Sequence, residues 1–412
     1  MKLTQRTEYS AASLTDLIHI VVTGDTSQDP AGSSYKVPLS KVVNLLAVNT
    51  GDYWTSGSTW NGSNFPIKAN NTSGLDATGT YAVAEGRQTL ASGNNGSHAE
   101  GYQTTASGAS SHAEGSNTTA IGLYSHAEGS NTKAIGGPSH AEGNNTTSIG
   151  GNSHAEGYLT IASGTSSHAE GGITVAGGNF SHAEGSGTTA YGLVSHAEGY
   201  AATAYGGGSH AEGSTTIASG DTSHAEGDFT TAAGISSHAE GRNTTAIGDG
   251  AHSEGNYTTS NGLASHAEGY LTFAFGDDGS HAEGRETSAV GTSSHSEGYL
   301  TTAVGPYSHA EGWRTTTLAQ AAHAGGSFSI ASGITSFVHG SSSVAVGSGT
   351  IVLGGGLTGV TPNVVYVNPI VVKNLSTIDI SSLTAQNGMI VYNTTTNKFQ
   401  GYASGTTWVD LS

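Results

Sequence analysis

The sequence is poorest in the residues that most often mark a globular enzyme. It has no cysteine, 7 prolines, 2 methionines and 4 tryptophans in 412 residues, and only 10% of its residues are charged. Without cysteine there is no disulfide framework and no thiol nucleophile. Twelve lysines and arginines stand against 31 aspartates and glutamates, a formal net charge of −19. No basic stripe exists to follow a phosphate backbone, so no nucleic-acid partner is expected. No apolar run approaches the roughly 20 residues of a membrane-spanning helix, so no membrane insertion is expected. Met1-Lys2-Leu3-Thr4-Gln5-Arg6-Thr7 leads into polar sequence rather than an apolar signal core, so the expectation is synthesis in the cytoplasm without a signal peptide. The length alone suggests two or three domains, but 63 glycines point to a fibrous chain.

Glycine belongs to a repeat. Ser-His-Ala-Glu-Gly recurs every fourteen residues, with histidines at His98, His112, His126, His140, His154 and onward to His266. One inserted residue near Asp277, Asp278 and Gly279 moves the grid to His281, after which His295, His309 and His323 keep step. Glutamate follows two residues behind sixteen of these histidines, from Glu100 to Glu311. A finer period of seven runs through Ala99, Ala106, Ala113 and Ala120, with Ser or Thr two residues before and glycine two residues after. A fixed period of this size is the mark of a solenoid. Each turn is read as two five-residue strands, S-H-A-E-G and T-x-A-x-G, joined by two-residue corners.

Strand alternation assigns the faces. Ser97, Ala99 and Gly101 share one side, and His98 and Glu100 share the other. Only the small set fits a thin interior, so the coil closes on alanine, hydroxyls and glycine. With one strand spacing of roughly 4.8 Å per turn, the repeat amounts to a rod on the order of 90 Å. Such an interior buries little apolar area, while each ordered residue costs about 1–2 kcal/mol of backbone entropy. The coil therefore needs a partner surface. The outward positions of the histidine strand hardly vary within the chain, whereas those of the other strand do. The same slots turn apolar at the ends, with Val83 at the start and Phe337, Ile351 and Leu353 at the finish. These features predict a homotrimer zipped along His98, Glu100, His112, Glu114, His126, Glu128, His140, Glu142, His154, Glu156, His266, Glu268, His309 and Glu311.

Ser343-Val344-Ala345-Val346-Gly347 is close to the motif N-S-V-A-I-G, and Ser97-His98-Ala99-Glu100-Gly101 matches it with His and Glu in the outward places. The chain thus resembles, from about Gly79 to Gly356, the head repeat of YadA-type trimeric adhesins. The resemblance implies an all-β, left-handed parallel β-roll whose outward residues meet across a trimer. Val344 and Val346 lie on the alternate strand, which leaves open which strand faces the trimer axis.

Two chemistries are open to the histidines. Three imidazoles brought to one level by three chains would suit zinc or nickel, but cations stacked every ~5 Å would repel strongly. The alternative is a hydrogen-bonded His–Glu ladder that fixes register and partner number. That alternative is preferred: no cofactor is expected beyond an occasional ion on the axis, and sixteen copies of one dyad read as architecture, not as catalysis. Protonating all 19 histidines would cancel the net charge, so the ladder is expected to titrate between pH 5 and 8.

The flanks differ in character. Residues 1–50 read as two strands, Leu14 to Val22 and Tyr35 to Leu39, followed by a short helix capped by Ser40. This part resembles the attachment end of many phage tail-fibre and virion appendage proteins. Residues 51–79 form a connector carrying Tyr53, Trp54, Trp60 and Phe65. The roll occupies 80–356, with an apolar neck over 327–356 and a boundary at Pro362. Residues 357–412 read as a β-rich trimerising tip: strands at Val364 to Val367, Ile370 to Val372 and Leu375 to Leu383, then a hairpin from Gly388 to Tyr402 closed by Trp408 to Leu411. Along the roll, Tyr102, Tyr158, Tyr200, Tyr270, Tyr299 and Trp313 follow the repeat motif and are candidate surface contacts, by stacking on sugars or by padding corners.

The combined expectation is a non-enzymatic trimeric tail fibre of a phage or contractile injection particle. It would dock on baseplate or tail proteins by its N-terminus and meet a host-surface glycan or protein at the other end or along its shaft. A fibre with polysaccharide-degrading activity and a bacterial cell-surface trimeric adhesin are the alternatives.

Overall fold

The computed structural model describes residues 17–22, 33–38, 54–56, 67–69, 76–368, 374–384, 386, 388–403 and 407–411. The chain divides into two units, residues 1–215 and 216–412. In the first, Leu17–Val22 and Ser33–Pro38 pair antiparallel, close to the two expected strands. The expected helix after Ser40, and the connector aromatics Tyr53, Trp60 and Phe65, lie outside the described residues. Trp54–Ser56 pairs antiparallel with Ile67–Ala69, which in turn pairs parallel with Val83–Arg87. The parallel ladder therefore begins inside the connector.

From there the first unit is a coil of stacked identical turns. Val83–Arg87 pairs with His98–Tyr102, which pairs with His112–Ser116, and the parallel register continues through His196–Tyr200 to His210–Ser214. The other strand of each turn is shorter than expected: two residues, as in Thr105–Ala106 and Thr119–Ala120, rather than five. The hydrogen bonds give the reason. Beyond Ala106, the N–H groups of Ser107 and Gly108 both converge on the Ala120 carbonyl, at 2.8 and 3.2 Å. Two donors on one acceptor turn the chain out of the ladder.

The interior is as thin as its composition requires. Ala99, Ala106, Ala113 and Ala120 are wholly buried. Serine hydroxyls bond locally, Ser111 Oγ donating to the Gly108 carbonyl at 2.7 Å. The threonines do so less often: Thr188 Oγ1 reaches the Glu184 carbonyl at 3.1 Å, whereas the buried Oγ1 of Thr104 and Thr118 has no partner in the chain.

The two glycine rows serve different purposes. Gly157 has φ +108°, and a Cβ there would lie 2.1 Å from the carbonyl oxygen of Gly171 in the next turn. Gly150 has no such angle, but its Cβ would lie 1.9 Å from the Gly164 oxygen. Left-handed corners fall instead mostly on other residues, seven apart, such as Gln103, Ser110, Asn117 and Tyr124 at φ 53–59°. Even the β-branched Ile173 and Val194 adopt φ 59° and 58°, a conformation that is strained for their shape.

The second unit repeats this architecture from Ile217–Ala218 and His224–Asp228 onward. Its inserted residue is absorbed in a corner, where Asp278 and Gly279 take φ 56° and 77° and His266 still pairs with His281. The first unit has the same device at Asn95 and Gly96 (φ 60° and 83°), where Ala84 pairs with Ala99 fifteen residues on. Parallel pairing also continues past Gly356: Val344 opposes Thr358 and Val352 opposes Tyr366. The roll thus ends at Val365–Val367 rather than at Gly356, and Pro362 sits in a corner rather than at a boundary.

Beyond it, Leu375 to Leu383 is not a strand. Asn374–Leu375 is extended and Thr377–Ser381 is helical. Asp379 N–H donates to Ser376 Oγ while Ser376 N–H donates to the Asp379 carboxylate, both at 3.2 Å. This reciprocal cap starts a helix wherever Ser-x-x-Asp precedes apolar residues, and it overrides the strand pattern. The expected hairpin is present as Ile390–Asn393 with Lys398–Ala403, joined by Thr407–Asp410. Leu375, Ile380 and Val391 form its small core. Ile370 to Val372 lies outside the described residues.

Two substitutions test this backbone. Gly157→Ala should lower stability by about 2 kcal/mol or more, because strained φ and a backbone clash add. Ile173→Asn should raise it by about 1 kcal/mol, since asparagine tolerates the left-handed corner. Thermal unfolding of both variants beside the parent checks the pair.

Candidate functional site

Parallel in-register pairing turns each outward position into a row. In the first unit, successive imidazoles from His98 to His210 stack with centroids 4.7–4.9 Å apart and planes within 0–9°. In the second, the rings from His224 to His309 stack at 4.7–4.8 Å. The glutamates form the neighbouring row. The structure therefore brings His98 and Glu100, His112 and Glu114, His126 and Glu128, His140 and Glu142, and His154 and Glu156 onto one face of the first unit. His266 with Glu268 and His309 with Glu311 lie on the corresponding face of the second.

Stacking, not hydrogen bonding, dominates this face within one chain. His126 Nε2 lies 3.7 Å from Glu128, His140 Nε2 3.5 Å from Glu142 and His154 Nε2 3.4 Å from Glu156. These Nε2 atoms are shielded from solvent yet have no hydrogen-bond partner. The His–Glu hydrogen bond expected at every rung is formed at the last one, His323 Nε2 to Glu311 Oε1 at 3.2 Å. The side chains themselves are half-buried, about a third exposed.

Charge on the face is set by repulsion along each row. Burial, and then the neighbouring imidazoles, lower the pKa of His112, His154 and His182, so these rings favour the neutral form. The carboxyls alternate instead. Hydrogen bonds with Glu100 and Glu128 push Glu114 up to about 7, while the bond with Glu114 holds Glu128 low. In the second unit Glu240 and Glu268 are pushed up to about 7 by shared hydrogen bonds, while Glu254 between them is held down to about 2. Hydrogen bonds between carboxyls thus raise some glutamates, while burial favours the neutral form of these histidines.

A trough runs beside the glutamate row because the next residue is always glycine. In the first unit it is lined by Glu85, Glu100, Glu114 and Gly101, Gly115 and Gly129, with a volume near 530 Å³. Ligand atoms of His140, Glu142 and His154 lie within 4.8 Å of one another, as do those of His154, Glu156 and His168. The regular rungs therefore offer donor sets for an ion.

The other strand, left open above as a possible axis-facing one, presents an outward column that is more apolar than its variability suggested. Just after the short strand, Ile121, Ile135 and Ile149 are 37–48% exposed on consecutive turns, and Tyr191 stacks on Tyr205 at 5.7 Å. In the second unit Phe275, Val290, Val304 and Leu318 continue the pattern. The variability of these positions masked that most of them are apolar.

The corner aromatics separate into two groups. In the first unit Tyr102 lies under the Arg87 guanidinium, at 5.4 Å, while Tyr158 and Tyr200 project into solvent. In the second unit Tyr270, Arg285, Tyr299 and Trp313 occupy successive rungs, with the guanidinium 5.6 and 5.3 Å from the two tyrosine rings.

Thermal stability should pass through a maximum between about pH 4.5 and 7. Lowered histidines stabilise the fold fully only above their unfolded pKa near 6.5, and that contribution is lost as the pH falls. Glu254 contributes above about 4.5 and loses its contribution toward pH 2. Raised carboxyls act oppositely: their contribution, complete below about 4.5, is lost as the pH rises through about 7. Melting temperatures measured from pH 3 to 9 check this. A steady rise through pH 8 would show that the carboxyls share no protons.

The model of the YadA head domain repeat matches residues 99–125, 127–153, 211–237, 225–251 and 239–265. No curated protein matches the chain. The matched segments are turns of the in-register parallel coil described above, with small residues inside and paired outward rows. YadA head domain repeats are thus present within the coil, which is a parallel β-solenoid with fourteen-residue turns.

Proposed function

We propose that this chain is one protomer of a homotrimeric, non-catalytic adhesive fibre. One observation carries the reading: the coil keeps almost nothing large inside. Its largest fully buried apolar side chains are Val338 and Val352, while isoleucines, tyrosines and phenylalanines stand outside. Exposed apolar surface on this scale marks association, and the YadA head repeats support three chains as the number.

The seam is placed on the histidine–glutamate face. Shielded Nε2 atoms without partners, a glycine-floored trough and apolar residues at the ends of the rows all call for a covering surface. A second reading places the seam on the apolar column through Ile121, Ile135 and Ile149, with the imidazoles turned to solvent. The fibre presents its far end or its flank to a host-cell glycan or protein, and repetition across three chains raises avidity without strong single sites. The Tyr270–Arg285–Tyr299–Trp313 strip suits stacking on sugar rings. The likeness of residues 1–50 to the attachment end of tail-fibre proteins supports docking on a phage or injection particle through that segment. A bacterial surface adhesin accords equally with the repeats.

Light scattering on the purified full chain should give three times the chain mass, and a folded monomer would overturn the reading. His126→Ala with His140→Ala should dissociate the trimer if the seam is polar. Ile135→Asp with Ile149→Asp should do so if it is apolar. Locating the protein in purified virions or in the outer-membrane fraction decides between the two settings.

A further inference from the structure

The periodic face breaks at one place, and the break has the geometry of a metal site. His323-Ala324-Gly325-Gly326 puts glycine in the slot that holds glutamate in the sixteen preceding repeats. One turn later Phe337-Val338-His339-Gly340 puts phenylalanine in the histidine slot and histidine in the glutamate slot. Gly325 pairs with His339 in the ladder, so the two departures are adjacent. The missing side chain opens a gap between Glu311 on one side and His339 on the other.

Glu311 and His339 face that gap, and His323 bonds Glu311 beside it. Glu311 Oε1 lies 3.2 Å from His323 Nε2 and 3.7 Å from His339 Nδ1. Two ligands on one tetrahedral zinc at about 2.0–2.1 Å stand about 3.3 Å apart, so the observed separations bracket the edge of such a tetrahedron. The gap lies between Glu311 and His339: a point where a Cβ of Gly325 would stand is 2.5 Å from His339 Nδ1 and 2.8 Å from Glu311 Oε1. An ion needs that volume, and any larger residue at 325 would occupy it. The adjoining trough, near 570 Å³, reaches Glu311 and His339.

We propose that Glu311, His323 and His339 bind one divalent transition-metal ion, zinc in the first instance, in the gap above Gly325. Two imidazoles and one carboxylate leave a fourth position for water, a donor set that zinc, cobalt and nickel accept. On binding, the ion takes the place of the proton that His323 Nε2 shares with Glu311, and that proton moves to Nδ1 of the same ring. The regular rungs differ in having the glutamate side chain in this space. An ion here meets no second ion one turn away on the Phe337 side, because phenylalanine offers no donor. On that side the site avoids the repulsion that stacked cations would suffer every ~5 Å. Its geometry lies within one chain and does not depend on the placement of the trimer seam.

The full chain, stripped with chelator, would be titrated with Zn²⁺ against a chromophoric competitor, and separately with Co²⁺ followed by visible absorption. The expected result is one saturable ion per chain, with the intense bands of four-coordinate cobalt. His339→Ala should weaken binding at least tenfold, and so should Gly325→Ala, which fills the gap without removing a ligand. His112→Ala, on a regular rung, should leave it unchanged. Circular dichroism of each variant separates loss of the site from loss of the fold. Absence of saturable binding, uptake of one ion at every rung, or full affinity in folded His339→Ala would each overturn the proposal.

Discussion

Backbone stacked on backbone with nothing between is the constraint from which the rest of this structure follows. At both glycine rows the carbonyl of the next turn occupies the place of a Cβ, 2.1 Å away at Gly157 and 1.9 Å away at Gly150. Turns that close leave a thin interior, filled mostly by alanine, threonine and serine, the serine returning its hydroxyl to a nearby carbonyl. Inside the coil no apolar side chain larger than Val338 and Val352 is fully buried, and bulkier ones stand outside. The outward rows, their chemistry and their exposure are consequences of that exclusion.

Identical turns in register also force like onto like. Imidazoles come within 4.9 Å of imidazoles and carboxyls meet carboxyls, so each row must shed charge. Histidines such as His112 and His154 are pushed toward the neutral form, and Glu114, Glu240 and Glu268 are raised by hydrogen bonds to neighbouring carboxyls. Aromatic stacking and proton sharing then act along the rows, while contacts between the two rows stay at 3.4–3.8 Å in the first unit's same-rung pairs. The end of the ladder is different. Gly325 occupies the slot where earlier turns carry a glutamate, so Glu311 has no carboxyl neighbour on that side and bonds His323 directly. Burial pushes Glu311 up, but that bond and the nearby imidazoles outweigh it and hold it low.

Much of the coil was legible because a strict period leaves little freedom. The alanine, serine and glycine columns fixed the inside, and the histidine and glutamate columns fixed one outward face. Other features were hidden for physical reasons. The second strand shrinks to two residues because two N–H donors share the Ala120 carbonyl, which no residue type advertises. Left-handed corners at Ile173 and Val194 contradict local preference and are imposed by the stacking of neighbouring turns. The short helix at Thr377–Ser381 had a readable capping signal that the apolar spacing of Leu375, Ile380 and Leu383 obscured. The apolar column through Ile121 and Ile135 was obscured by its own variety. Gly325 and His339 had a visible signal, two breaks in an otherwise regular row, whose meaning depends on their being neighbours across turns.

The two enlarged corners, at Asn95–Gly96 and Asp278–Gly279, admit an extra residue while the strands on either side keep their partners. A coil that tolerates such an error without slipping also tolerates the loss or duplication of a whole turn, since each turn presents the same edge to the next. Unequal crossing-over between near-identical repeats in the gene would therefore add or remove turns in single steps, each leaving a foldable product. The number of turns becomes a quantity that selection can adjust without altering the segments at either end of the chain.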